Sequence, residues 1–214
     1  MTELVSMSAS DLAALLCSRV CHDIISPVGA INNGLELLDE GGADEDAMRL
    51  IRQSAKNASA RLQFARIAFG AAGSAGMQID TGDAEQVAQA FFKNEKPELV
   101  WNGGRALLPK NKVKLLLNLL LVAAGAIPRG GRLTVALEGL NDTPRFTLTA
   151  NGPMVRVPPK FLELHAEGRL GEPIDAHSVQ PYYALLLARE AGMRVEVRAS
   201  ADEVTLLAVE NGAA

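Results

Sequence analysis

The sequence predicts an α+β protein. An N-terminal antiparallel helical hairpin, paired with a second copy into a dimeric four-helix bundle, precedes an α/β sandwich. Three observations predict it. Apolar residues recur at heptad spacing on both sides of Gly41-Gly42. Beyond the small, glycine-rich stretch Gly70 to Gly76, the pattern changes to short alternating runs broken by turn signals. Ala and Leu dominate while aromatics make up only 4% of the chain, a balance that favours helices. The expected boundary assigns residues 1–73 to the hairpin and 77–214 to the sandwich.

The first helix is expected from Ser10, as N-cap, to Glu40, with Gly41-Gly42 as its stop. Its seam is Cys17, Cys21, Ile24, Val28, Ile31, Leu35 and Leu38. The second runs from Asp44 to Gly70 with the matching seam Met48, Ile51, Ala55, Ala58, Leu62, Ala65 and Phe69. A two-helix hairpin cannot bury both sides of its seam alone. It must dimerise, or else pack on the C-terminal half.

After the Gly70–Gly76 linker, Met77-Asp80 is expected as a strand, Ala84-Lys93 as a helix and Glu98-Trp101 as a strand. Pro109 opens a strong helix through Ala126, and Pro128-Arg129-Gly130-Gly131 is a turn. Arg132-Glu138 and Arg145-Ala150 form a strand pair around Asn141-Asp142. Pro181-Ala191 is a helix ended by Gly192, and Arg194-Ala199 and Glu203-Glu210 are closing strands.

With 48% hydrophobic residues among 214, a packed core is within reach. A net charge of -4 argues against a broad nucleic-acid footprint or a polybasic membrane patch. No charged-then-apolar leader opens the chain, and the apolar run Leu115 to Ile127 is too short to span a bilayer. A cytoplasmic location is expected. Cys17 and Cys21, one turn apart, read as small apolar core residues and not as metal ligands.

The run Cys21-His22-Asp23-Ile24-Ile25-Ser26-Pro27 carries the chemistry. His22 falls just off the seam and should face solvent. A phosphoacceptor imidazole needs one neutral nitrogen as nucleophile and the other held as a donor. Asp23, the adjacent acid, suits that orienting or proton-accepting role. Pro27 lacks an N–H and crowds the carbonyl of Asp23, so a kink is expected there. Counted from the Gly41-Gly42 turn, Ser26, Gly29, Ala30 and Asn33 face Asn57 and Ala60 or Arg61. Their small side chains would leave a docking groove. Arg19 and Arg66 lie near enough to offset phosphate charge, or stand as solvated helix charges. His165 and His177 have no partner pattern and read as ordinary surface or packing histidines.

On the stretch His22 to Leu37, in particular Gly34-Leu35-Glu36, the chain resembles the dimerisation and phosphotransfer module of histidine kinases. More closely, and over nearly its whole length, it resembles the ChpT-type histidine phosphotransferases of alphaproteobacteria. The C-terminal half resembles a histidine-kinase-type ATPase (Bergerat-like) domain in degenerate form. Asn118 matches the first Asn of the family's Asn-rich box, but Val122 stands where that family places its magnesium-binding Asn. Ala150 stands for its adenine-reading Asp, and Met154 for a Gly of the Asn-Gly-Pro-Gly motif. Ala176 to Pro181 stands where a glycine-rich phosphate loop belongs and has no glycine.

The resemblance implies a phosphorelay without ATP binding. Phosphate passes from the receiver domain of a hybrid histidine kinase to His22, and on to the receiver domains of response regulators, a CtrA-type cell-cycle transcription factor among them. The receiver supplies Mg²⁺, so no cofactor or metal of the chain's own is expected. An active ATP-dependent kinase and a non-catalytic scaffold or kinase inhibitor are the competing readings.

Overall fold

The computed structural model describes residues 3–41, 44–70 and 78–212. Helix α1 spans Ala9–Asp39, two residues longer at its start than the Ser10 cap implied. Ser8 is the N-cap: its Oγ accepts from the Asp11 amide at 3.1 Å and donates to the Asp11 carboxylate at 2.7 Å. This reciprocal pairing explains why Ser8, three residues before an acid, outcompetes Ser10. Helix α2 spans Asp44–Ala68. Gly42 and the segment 71–77, which contains most of the expected linker and Met77, lie outside the described residues.

The seam divides in a way the heptad pattern alone did not reveal. Pro27 and Gly34 of α1 are buried against α2, where Ala47, Ser54 and Ala58 are buried in turn. At Gly34 the helices approach so closely that a Cβ would stand 2.6 Å from Ile51 Cγ1. The seam residues Cys17, Cys21, Val28 and Leu35 point outward with Ile25 and, on α2, Leu62. The two cysteines are therefore exposed thiols, not the core residues expected, because they sit on the side of α1 turned away from α2.

The second half begins with β1 (Gln78–Asp80) and α3 (Thr81–Phe92). Asp80 caps α3 by accepting from the Gly82 amide at 2.7 Å, which starts the helix ahead of the expected Ala84. β2 (Pro97–Asn102) and β3 (Leu107–Pro109) follow; β3, only three residues long, pairs antiparallel with β1. Pro109 ends that strand and caps α4 (Lys110–Gly125). Next come β4 (Gly131–Glu138), β5 (Arg145–Asn151), α5 (Pro159–Glu167), α6 (Val179–Glu190), β6 (Met193–Ala199) and β7 (Glu203–Glu210). Helix α5 went unread because a nine-residue helix opening on Pro158-Pro159 resembles a loop. α6 starts two residues before the expected Pro181, which is tolerated in its first turn, where no intrahelical donor is needed.

Five strands form a mixed sheet in the order β2-β4-β5-β7-β6, with only β2 and β4 parallel. Alternation puts Leu133, Val135, Phe146, Leu148, Val204 and Leu206 on one buried face. α4 and α6 cover that face, and Thr134, Thr147, Thr149 and Thr205 on the other face stay half-exposed. This is the α+β arrangement the sequence predicted.

The hairpin also packs on this half, through the end of α2. Phe64, Ile67 and Ala68 are buried in the same core cluster as α4 and α6. One buried polar junction fixes the contact. Asn118 Nδ2 donates to the Ala68 carbonyl at 3.0 Å and to Lys114 O at 2.9 Å, and Gln180 Nε2 donates to Asn118 O at 2.8 Å. Ala68 is the last residue of α2, so its carbonyl has no helical donor. The N-terminal strap adds a second tie. Val5 N–H donates to Gly168 O at 2.7 Å, and Tyr182 Oη donates to Val5 O at 2.9 Å. Asn118→Leu is expected to lower stability by about 1–3 kcal/mol in chemical denaturation, because the buried Ala68 carbonyl at the end of α2 loses its donor. Native-state hydrogen exchange should show the loss concentrated at residues 64–70.

Candidate functional site

His22 sits mid-helix on α1 with its side chain 68% exposed. Its Nδ1 lies 3.4 Å from Asp23 Oδ1, at the long end of hydrogen bonding. A carboxylate oxygen accepts in this contact only from an N–H at Nδ1, the tautomer that leaves the lone pair on Nε2. The other Asp23 oxygen, Oδ2, accepts from Arg19 Nε at 3.0 Å, one turn back along the helix. Asp23 is thus held between Arg19 and the imidazole. Pro27, four residues on, supplies no N–H to the Asp23 carbonyl.

A groove of about 290 Å³ opens beside the imidazole. It is lined by His22, Asp23, Ser26, Pro27 and Ala30 of α1 and by Ser54, Asn57 and Arg61 of α2. Of the expected docking residues, Ser26, Ala30, Asn57 and Arg61 come together here. Gly29 and Asn33 do not line the groove, and Arg66 is exposed in the last turn of α2, outside it.

Neither Arg19 nor Arg61 is an idle charge. Arg19 is committed to Asp23. Arg61 Nε donates to Asn57 Oδ1 at 3.0 Å, its guanidinium lies 5.2 Å from the centroid of the Phe91 ring, and it is ion-paired with Glu95 just beyond α3. Burial pushes the Glu95 carboxyl up from its ordinary range; Arg61 opposes that shift and the nearby Asp23 charge adds to it. Arg19, Asp23, Arg61 and Glu95 all border a second cavity of about 370 Å³ between the hairpin and the C-terminal half.

The second half reaches the histidine itself. The His177 ring meets the His22 ring edge-on, with centroids 5.4 Å apart and planes at 78°. His177, expected as an ordinary surface or packing histidine, is exposed and packs its ring against the His22 imidazole. His165 is a packing histidine: its Nε2 lies 2.8 Å from Val195 O and its ring stacks on Phe161. Glu95, Ser54 and His177 were the site residues missed from sequence. All three join through distant contacts, and only the replacement of a glycine-rich loop by Ala176–Pro181 hinted at His177.

Val122 is 3% exposed and Ala150 fully buried, so both aliphatic replacements lie inside the core, while Met154 is 40% exposed. The amide of Asn118 is engaged by Ala68 and Lys114. The side chains present in this region offer a hard cation no carboxylate or amide at position 122 and an adenine no acceptor at position 150.

The family model for the histidine phosphotransferase C-terminal domain matches residues 81–203, more than half of the chain. The chain belongs to the histidine phosphotransferase family. It is 71% identical over 204 residues, covering 95% of this chain and 98% of the relative, to the protein phosphotransferase ChpT of Brucella abortus (strain 2308). A solved bacterial phosphotransferase superposes with a TM-score of 0.91 at 68% identity, over 97% of this chain and all of that one. A histidine kinase domain from Erythrobacter litoralis EL346 aligns over 94% of the chain at 14% identity, with a TM-score of 0.49. In this phosphotransferase, Asp23→Asn keeps the shape of the side chain and removes the charge facing Nδ1. It is expected to slow phosphoryl transfer about 100-fold in rapid-quench assays, with the thermal melt little changed.

Proposed function

We propose that the chain relays phosphate on His22 between receiver domains and does not use ATP. The observation that carries this reading is an exposed imidazole, flanked by an acid that holds one ring nitrogen as donor, at the edge of a groove lined by small side chains. Nε2 attacks the phosphorus of an aspartyl phosphate on the receiver domain of a hybrid histidine kinase. The N–P bond forms as the P–O bond breaks, and the aspartate leaves as a carboxylate. The imidazolium that results is stabilised by Asp23. The reverse displacement passes the phosphoryl group to the aspartate of a response regulator of the CtrA type. The receivers bring Mg²⁺ with their own acidic pocket, so the chain holds no metal in either step. The groove beside His22, with Ser26, Ala30, Asn57 and Arg61, receives a helix of the receiver.

Val122, Ala150 and Met154 support the absence of nucleotide binding. The protein works in the cytoplasm as a homodimer. The outward stripe Cys17, Cys21, Ile25, Val28 and Leu35, with Leu62, supports that assembly, since an apolar face of this extent is stable only when covered. α1 is long and apolar enough by composition to cross a bilayer. Arg19, His22 and Asp23 at its middle favour a protein partner over lipid.

Radiolabelled ATP and a prephosphorylated receiver domain, offered separately, test the relay. Label is expected from the receiver alone and is lost in His22→Ala. Label taken from ATP would instead establish a live kinase, and none from any receiver would leave a scaffold. Val28→Asp combined with Leu35→Asp is expected to halve the mass measured by light scattering; an unchanged mass would exclude this face as the dimer interface.

A further inference from the structure

We propose that His177 is a positioning residue for His22, its ring, carried on the turn before α6, holding the phosphoacceptor imidazole in one orientation. This inference rests on the relay reading of His22. An imidazole exposed to the extent of 68% has little packing of its own to fix its rotamer. Asp23 restrains one nitrogen through a 3.4 Å contact, too long to lock the ring alone. The edge-to-face contact at 5.4 Å and 78° lies in the favoured geometry for aromatic pairs. No hydrogen bond joins the two rings, so the restraint is one of packing.

The segment carrying His177 is built to be stiff. Asp175 Oδ1 accepts from Ser178 Oγ at 2.6 Å, from the Ser178 amide at 2.7 Å and from the His177 amide at 3.1 Å. Lys160 Nζ approaches the other Asp175 oxygen at 3.7 Å. The Ser178 hydroxyl and amide, with lesser help from Lys160 and the His177 amide, hold the Asp175 carboxyl down to about 2, so the turn stays ionised at any working pH. Ser178 is fully buried and starts α6, the helix that also carries Gln180 into the Asn118 junction. His177 is thereby fixed to the same element that fixes the hairpin. A loop that in ATP-binding relatives would cradle phosphate here presents a ring to the residue that accepts it.

The test is transfer kinetics in the full-length protein from a prephosphorylated receiver, comparing wild type, His177→Ala, His177→Phe and His177→Gln. His177→Ala is expected to lower kcat by about 3- to 10-fold with KM for the receiver unchanged. His177→Phe, which keeps a ring edge, is expected to restore most of the rate; His177→Gln, polar but without a ring, is not. Equal or faster transfer by His177→Ala would overturn the proposal, the faster case marking His177 as a cover over His22. Rescue by Gln but not Phe would overturn ring packing as the cause, and a loss confined to KM would reassign His177 to receiver docking. Wild type that takes no label would overturn the relay reading and this inference with it, whereas a labelled wild type with an indifferent His177→Ala removes this inference alone.

Discussion

The buried amide of Asn118 is the constraint from which the arrangement of the site follows. It satisfies the terminal carbonyl of α2 while the Asn118 backbone carbonyl accepts from Gln180 of α6, so two helices and the hairpin share one polar junction in an otherwise apolar core. Apolar packing of Phe64 and Ile67 could tolerate small slides, but a buried hydrogen bond cannot. With the hairpin held against α4 and α6, the turn before α6 falls opposite His22, and Arg61 meets Glu95 just beyond α3.

The hairpin solves a second problem, that of keeping a histidine exposed on a helix with two apolar faces. The inner face uses small or rigid residues, Pro27 and Gly34, so the helices come close and stay in register. The outer face carries the larger aliphatics. His22 lies between these faces, beside the groove floor formed by Pro27 and Ser54, accessible without belonging to either contact.

Much of this was legible in the sequence, and the exceptions share a cause. Heptad spacing identified both long helices, period-two alternation identified β4 and β5, and β6 and β7 were expected as the closing strands. The His22-Asp23 pair stood out because its two members are adjacent and their chemistry is local. Ser8 could have been read as the cap from its spacing to Asp11, but a second serine at position 10 competed. β3 and α5 fell below the length at which periodicity is visible. The direction of the seam was ambiguous because every seam residue is apolar. Only the glycine at 34, whose missing side chain marks the close approach, distinguishes the inner side from the outer. Arg61–Glu95 and His22–His177 join residues far apart in the chain, and no local pattern encodes such pairs.

The strap at residues 3–7 gives the hairpin a second foothold. α2 is tied to the C-terminal half through Ala68, and the chain entering α1 is tied to the same half through Val5, Gly168 and Tyr182. One attachment would make a hinge, about which the two halves could swing. Two attachments, one on each leg, make a bracket and remove that rotation. The orientational entropy of the halves is surrendered when the chain folds, not each time a partner arrives. Any surface that spans the two halves is then assembled in advance, before anything docks on it.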